Sequence, residues 1–380
     1  MIFSGVARHT FLMRFRLLSV SCLLTFVSLA VAGPLPTPIA QSLMTYAAQN
    51  LGKAESSKAT LVSADLARMA AAYGFKPAAQ SFMKKSEELR SKGDTFSKKS
   101  AEAECLALEE ALAMPDWKEH QQSFILAGEN AAIQAQTLSY ARIQVAGDRL
   151  DLKQMADAIQ QDRLTHGASA LVIVLSNLMS KRDADGFGKV LGLVEKGSLS
   201  KFENWSVRAL LLEGGVKEVH TQVLEKLTGA DRQAAAEYLL EGAAKGGYAD
   251  IAVKLFTELP KERQPRGQAW VALAHARSGN SEEAKKWAIR AEVNSLEQSA
   301  SAPYVDWTLL CGEIFYDVPA AEKRLRRMKP GVPRDFAGAA LALKFIDSKD
   351  AAGLKRVLDL DQAACSAVAF QTLKGGFFRP

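Results

Sequence analysis

Turn residues recur in this chain at a fixed interval, and that interval limits what it can fold into. Gly279, within the stretch ALAHARSGNSEEAKKWAIRAE (Ala272 to Glu292), separates two segments whose apolar residues repeat at three- and four-residue spacing. Steps of 32 residues towards the N-terminus reach Gly247, Gly215, Asp183 and Asp151. Glycine ends helices and aspartate caps the helix that follows, so both mark turns. Eight residues before each turn stand Ile143, Leu175, Val207, Leu239 and Val271, and eight after stand Ile159, Leu191, Val223, Leu255 and Trp287. The pattern reads as five helix–turn–helix units, with an apolar column on the inner face of each helix. Two short helices cannot bury their apolar faces alone, so such units must stack.

Less regular units flank these five. Asp65 to Leu89 reads as a helix pair around Gly74, with Pro77 tolerated in an opening turn. Gly93 ends that pair, Asp94 can cap the next helix, and Met114-Pro115 breaks the pair after it. Beyond Ala291 the register slips; further pairs turn near Tyr316-Asp317 and near Asp350. No alternating stretch reaches strand length, and 48% hydrophobic content is ample for a core, so the expected class is all-α. The expected organisation is a leader at 1–32, irregular pairs over 33–130, regular units over 131–291, and closing pairs with a short tail over 292–380.

The leader reads as a secretory signal peptide. Arg14 and Arg16 precede an apolar run from Leu17 to Ala32, and Ala30-Val31-Ala32 before Gly33 marks cleavage after Ala32. Met13 is a possible true start. An uncleaved anchor would need about 20 apolar residues without interruption. A lipoprotein reading of Cys22 meets Ser19 where a large aliphatic residue is expected. Export to a periplasmic or extracellular compartment is the expectation, with no stable membrane span afterwards. Taking the leader's three arginines from 48 basic residues, against 42 acids, leaves a charge of only +3, too weak to indicate nucleic acid.

Catalytic chemistry finds no foothold. His120, His166, His220 and His275 lie far apart, without the spacing of a metal site, and no nucleotide or nucleophile motif occurs. Asp183 and Asp185 sit in a turn, where capping accounts for them. Cys105, Cys311 and Cys365 read as buried thiols, with a Cys311–Cys365 bridge the alternative. No catalytic, cofactor-binding or metal-binding residue is therefore expected.

The units resemble tetratricopeptide repeats. That family places a Gly at the turn, an Ala five residues on where the helices cross, and a large residue four further on. Gly247, Ala252 and Phe256 match all three; Gly279 and Ala284 match two, with Ala288 in the third place. Asp151 and Ala156 keep the crossing alanine, whereas Gly188 and His220 replace it. The family's Trp-Leu-Gly signature is missing, and its period is about 34 residues. The resemblance implies a right-handed α-solenoid of stacked antiparallel helical hairpins, with first helices lining a groove.

Two residues before each turn stand Arg149, Lys181, Glu213, Lys245 and Arg277. These four cations read either as a ladder for carboxylates of a peptide or as caps on helix C-termini. Trp205, on the same face, reads either as a partner's anchor or as packing between units. The basic run Glu322 to Lys329 reads as a solvated helix face. The expected function is an exported, non-enzymatic scaffold presenting a groove to another protein or peptide. The alternative is a non-catalytic helical component associated with a glycan-cleaving cell-wall enzyme.

Overall fold

The computed structural model describes residues 41, 44, 45, 48, 51, 56–127, 130–161, 167–180, 183–194, 199–296 and 302–360. The leader, Lys181, Cys365 and the C-terminal tail lie outside the described residues. Eighteen α-helices follow one another in nine consecutive pairs, and no strand occurs among the described residues. The first three pairs are α1 (Ser56–Ala72) with α2 (Lys76–Leu89), α3 (Thr95–Ala111) with α4 (Trp117–Ala127), and α5 (Ala131–Asp148) with α6 (Leu152–Gln161). The next three are α7 (Gly167–Ser180) with α8 (Ala184–Val194), α9 (Lys201–Glu213) with α10 (Val219–Leu224), and α11 (Gly229–Gly246) with α12 (Ala249–Phe256). The last three are α13 (Gln264–Arg277) with α14 (Ser281–Ser295), α15 (Ala302–Glu313) with α16 (Val318–Arg327), and α17 (Val332–Asp347) with α18 (Ala351–Asp359). No described helix is long and apolar enough to cross a membrane.

One backbone hydrogen bond defines the turns within the pairs. The N–H of the residue just after the turn reaches the carbonyl five residues back, satisfying an otherwise orphaned acceptor at the helix end. Phe75, Met114, Asp151, Asp183, Val216, Tyr248, Asn280 and Asp350 all donate such bonds, at 2.8–3.0 Å. In the α15–α16 pair the bond is one residue tighter, from Asp317 to Glu313 at 2.7 Å.

This bond corrects the register read from the sequence. Gly215, Gly247 and Gly279 occupy the left-handed position itself, with φ of +108°, +76° and +83°. Asp151 and Asp183 stand one residue later and cap the next helix, accepting from the N–H groups of Gln154 (3.0 Å) and Gly186 (2.9 Å). Asn280, Asp317 and Asp350 hold that same capping place. The interval between Asp183 and Val216 is thus 33 residues, and the left-handed residue of the α5–α6 turn is Leu150, with φ +53°. Four residues past Asp151 and Asp183 stand Met155 and Phe187, both buried, in the place that Ala252 and Ala284 hold after Tyr248 and Asn280, at 0% and 1% exposure; Ala156 and Gly188 fall one residue beyond it.

Odd- and even-numbered helices play different parts. Each odd helix packs on its own even partner and on the odd helices before and after it, so that α1 through α17 form an unbroken row. The odd helices accordingly carry apolar residues on most faces, whereas the even ones are apolar on one. Ile143, Leu175, Val207, Leu239 and Val271 are all at most 3% exposed, each contributing roughly 1.5–3 kcal/mol relative to exposure. Trp270 and Trp307 meet edge to face at 5.9 Å between α13 and α15.

Two buried arginines join neighbouring pairs. Arg68 on α1, 1% exposed, faces Asp65 at 3.1 Å, Glu104 of α3 at 3.3 Å and Asp148 of α5 at 2.5 Å. Arg324 on α16 joins Glu292 of α14 (2.7 Å) to Asp306 (2.8 Å) and Glu313 (2.5 Å) of α15. Arg324 thus departs from the solvated face expected of the run at Glu322, while Arg326 and Arg327 remain exposed. Burial without these carboxylates would strip a guanidinium of its hydration uncompensated.

Neighbouring odd helices touch at a glycine. A Cβ on Gly242 of α11 would lie 2.2 Å from the Ala209 carbonyl oxygen of α9, an atom held within its own helix. Gly242→Ala is therefore expected to destabilise the chain by about 1–3 kcal/mol. Gly192→Ala in α8, where a Cβ meets nothing within 4 Å, is expected to stabilise it by up to about 1 kcal/mol. Urea denaturation of the two variants checks the sign of each.

Candidate functional site

Of the basic column, Arg149, Lys245 and Arg277 lie among the described residues, and each contacts a neighbouring pair. Arg149 is exposed, and its Nη1 donates to the Ala111 carbonyl at 2.8 Å, capping the last residue of α3 in the preceding pair. Lys245 is 6% exposed, paired with Glu241 at 2.7 Å and 6.0 Å from the Trp270 ring centroid. Arg277 is half-buried, with its guanidinium 5.3 Å from the Phe315 ring of the next pair. Trp205 is 5% exposed, edge-on to Phe202 at 5.3 Å and tilted against Tyr238 of α11 at 6.2 Å.

Lys245 is the informative departure. Helix position alone places it at an exposed C-terminus, but α11 is enclosed on most sides, so its last turn is buried too. Burial opposes the ammonium charge; Glu241 and Glu213 more than offset it and raise the pKa above the usual lysine value. Lys245→Met is expected to cost about 1–3 kcal/mol, since it strips a charged partner from half-buried Glu241. Arg149→Ala, at an exposed cap, is expected to cost about 0.3–1 kcal/mol. Denaturation midpoints of the two single variants test the contrast.

A different feature has the form of a binding site. Between α2 and α4, over α3, lies an open groove of about 530 Å³, within the range of ligand pockets. Its walls come from three helices, each contributing residues at the same spacing. From α2 come Gln80, Met83, Lys84 and Glu87; from α3, Glu102, Cys105, Leu106 and Glu109; from α4, His120, Ser123, Phe124 and Ala127. Each set is one helix face over two turns. Met83, Cys105, Leu106 and Phe124, each under 10% exposed, make an apolar floor, and polar residues rim it.

The length of the early pairs accompanies this opening. Corresponding turn residues are 39 residues apart from Phe75 to Met114 and 37 from Met114 to Asp151, against 32 or 33 over the next four steps. The extra residues give α2 its 14 residues and add a 3-10 turn at Arg90–Lys92, whereas α6 and α8, of 10 and 11 residues, touch each other.

Charge at the rim is partly neutralised. Arg90 meets Glu102 at 3.0 Å, and the His120 Nδ1 lies 2.9 Å from Glu109. Burial pushes the Cys105 thiol up to about 12, so it is neither nucleophile nor ready ligand at neutral pH. Among the described residues no three His, Cys, Asp or Glu side chains are grouped to hold a metal ion. No protein-family model, curated protein or solved structure matches this chain.

The groove escapes a reading based on the regular units, because it lies outside them. Its signals are nonetheless present: the i, i+3, i+4, i+7 stripes and the wider spacing of the first turns. One titration follows from its geometry. The hydrogen bond and charge of Glu109 raise the His120 pKa above its usual value near 6.5. A raised value means that this pair contributes fully below the unfolded histidine's pKa and is lost as pH climbs through the folded one. NMR titration should show His120 titrating above an ordinary histidine, and Glu109→Gln should return it towards the ordinary value.

Proposed function

We propose that this chain is an exported, non-enzymatic scaffold, built as a right-handed solenoid of antiparallel helix pairs of tetratricopeptide-like form, that binds another protein. The observation that carries this reading is the groove between α2 and α4: an apolar floor with a polar rim, lined by three regular helix faces. The nine pairs supply a scaffold of the sort that extended interaction proteins use. The basic column supports the same reading in a different way: Arg149, Lys245 and Arg277 bind the pairs to one another, leaving the groove as the surface for a partner.

The test uses residues whose change leaves the core alone. Gln80 and Ser123 are exposed on opposite walls, so arginine at either position fills the groove without displacing a buried side chain. The mature chain should capture a partner from the cells that produce it. Ser123→Arg and Gln80→Arg should each reduce capture of that same partner at least tenfold, with helicity and melting unchanged. Lys285→Glu, on distant α14, should leave it intact. A partner held equally by all the variants would place binding elsewhere.

A further inference from the structure

We infer that the groove between α2 and α4 takes an amphipathic α-helix, whose apolar stripe packs on Met83, Leu106 and Phe124 and whose flank offers an acid to Lys84 and a base to Glu87. This inference rests on the scaffold reading above and names the partner's chemistry.

The backbone of the walls favours a helical visitor. All three walls are helices, whose N–H and C=O groups are already bonded along their own axes. An extended segment laid on Met83, Leu106 and Phe124 would find no ladder there, and its peptide groups would lose water without replacement. A helix arrives with those groups already paired. The shape of the groove favours it too. Each wall presents residues from i to i+7, a ridge about 10 Å long at 1.5 Å per residue, and ridges of this kind receive those of another helix at about 8–10 Å between axes. Met83 adds a flexible side chain that adapts to an incoming one.

Charge at the rim narrows which helix fits. Glu102 and Glu109 are engaged by Arg90 and His120. Lys84 and Glu87 are exposed, share the groove face of α2 and make no ion pair among the described residues. They stand three residues apart, so a helix lying along α2 meets a positive and then a negative charge on successive turns. That order selects the complementary order on the visitor.

The test measures binding of synthetic 16-residue peptides to the chain from Gly33 to Pro380 by fluorescence anisotropy. Two peptides carry leucine at i, i+3, i+4 and i+7 and differ only in whether the flank reads Glu then Lys or Lys then Glu. A third carries two central prolines. One flank order should bind roughly two- to five-fold tighter than the other, the scale of exposed ion pairs. The double variant Lys84→Glu/Glu87→Lys should invert that preference. The proline peptide, and Ser123→Arg with any peptide, should bind at least tenfold more weakly. Equal binding of the proline peptide, no binding of either leucine peptide, or a preference that survives the double variant would each overturn the helical occupant. If the cellular partner were still lost in Ser123→Arg, the scaffold reading would stand without it; if that partner were retained, both would fall.

Discussion

A helix with ten of its fourteen residues buried, as α13 has, needs neighbours on every side, and this need organises the whole array. The even-numbered helices cannot supply it alone, since each covers one flank of its partner. The remaining flanks are covered by the odd helices before and after, which is why these form a continuous row. Where the row draws closest, the side chain disappears, as at Gly242; where there is space, aromatic pairs such as Trp270 and Trp307 fill it. Even helices need less: α12 buries Ala252 and Leu255 among its eight residues, and its outer face is free to be polar.

Much of this was legible in the residues. Ile143, Leu175, Val207, Leu239 and Val271 were marked by spacing alone, and all five are buried. The turns at Gly74, Asp94, Asp317 and Asp350 fall where glycine and capping aspartate place them. The register slipped by one residue because glycine and aspartate announce the same turn from adjacent positions. A column that admits both cannot tell the left-handed residue from the cap after it. Lys245 and Arg324 were read as exposed for a related reason: charge predicts solvent, but long side chains are retained in a packed interior when carboxylates from neighbouring helices meet them. Pairs such as Arg324 with Glu292, 32 residues apart in sequence, exist only once the units are stacked.

The groove was harder to read because it arises from what the early pairs do differently. Periodicity rewards sameness, and the α1–α4 region departs from the period. Its residues are unexceptional singly: a methionine, a cysteine, a leucine and a phenylalanine, each on an ordinary amphipathic stripe. What makes them a surface is that three stripes face one volume. That juxtaposition is a property of the packed array and of no single segment. Trp205, which the sequence allows either as a partner's anchor or as packing between units, packs against Tyr238 of the next pair.

Arg68 has a consequence for how this array responds to load. It reaches from α1 across α3 to Asp148 at the end of α5, and α1 itself also touches α5. Most stacked arrays couple each unit only to the next, so that they stretch like a spring with equal coils. A contact that skips a unit joins the first three pairs into one block, coupled beyond nearest neighbours. The groove, cut between α2 and α4, is framed by that block. Separating α1 from α5 therefore requires breaking the Arg68–Asp148 contact as well as the packing of each pair on the next.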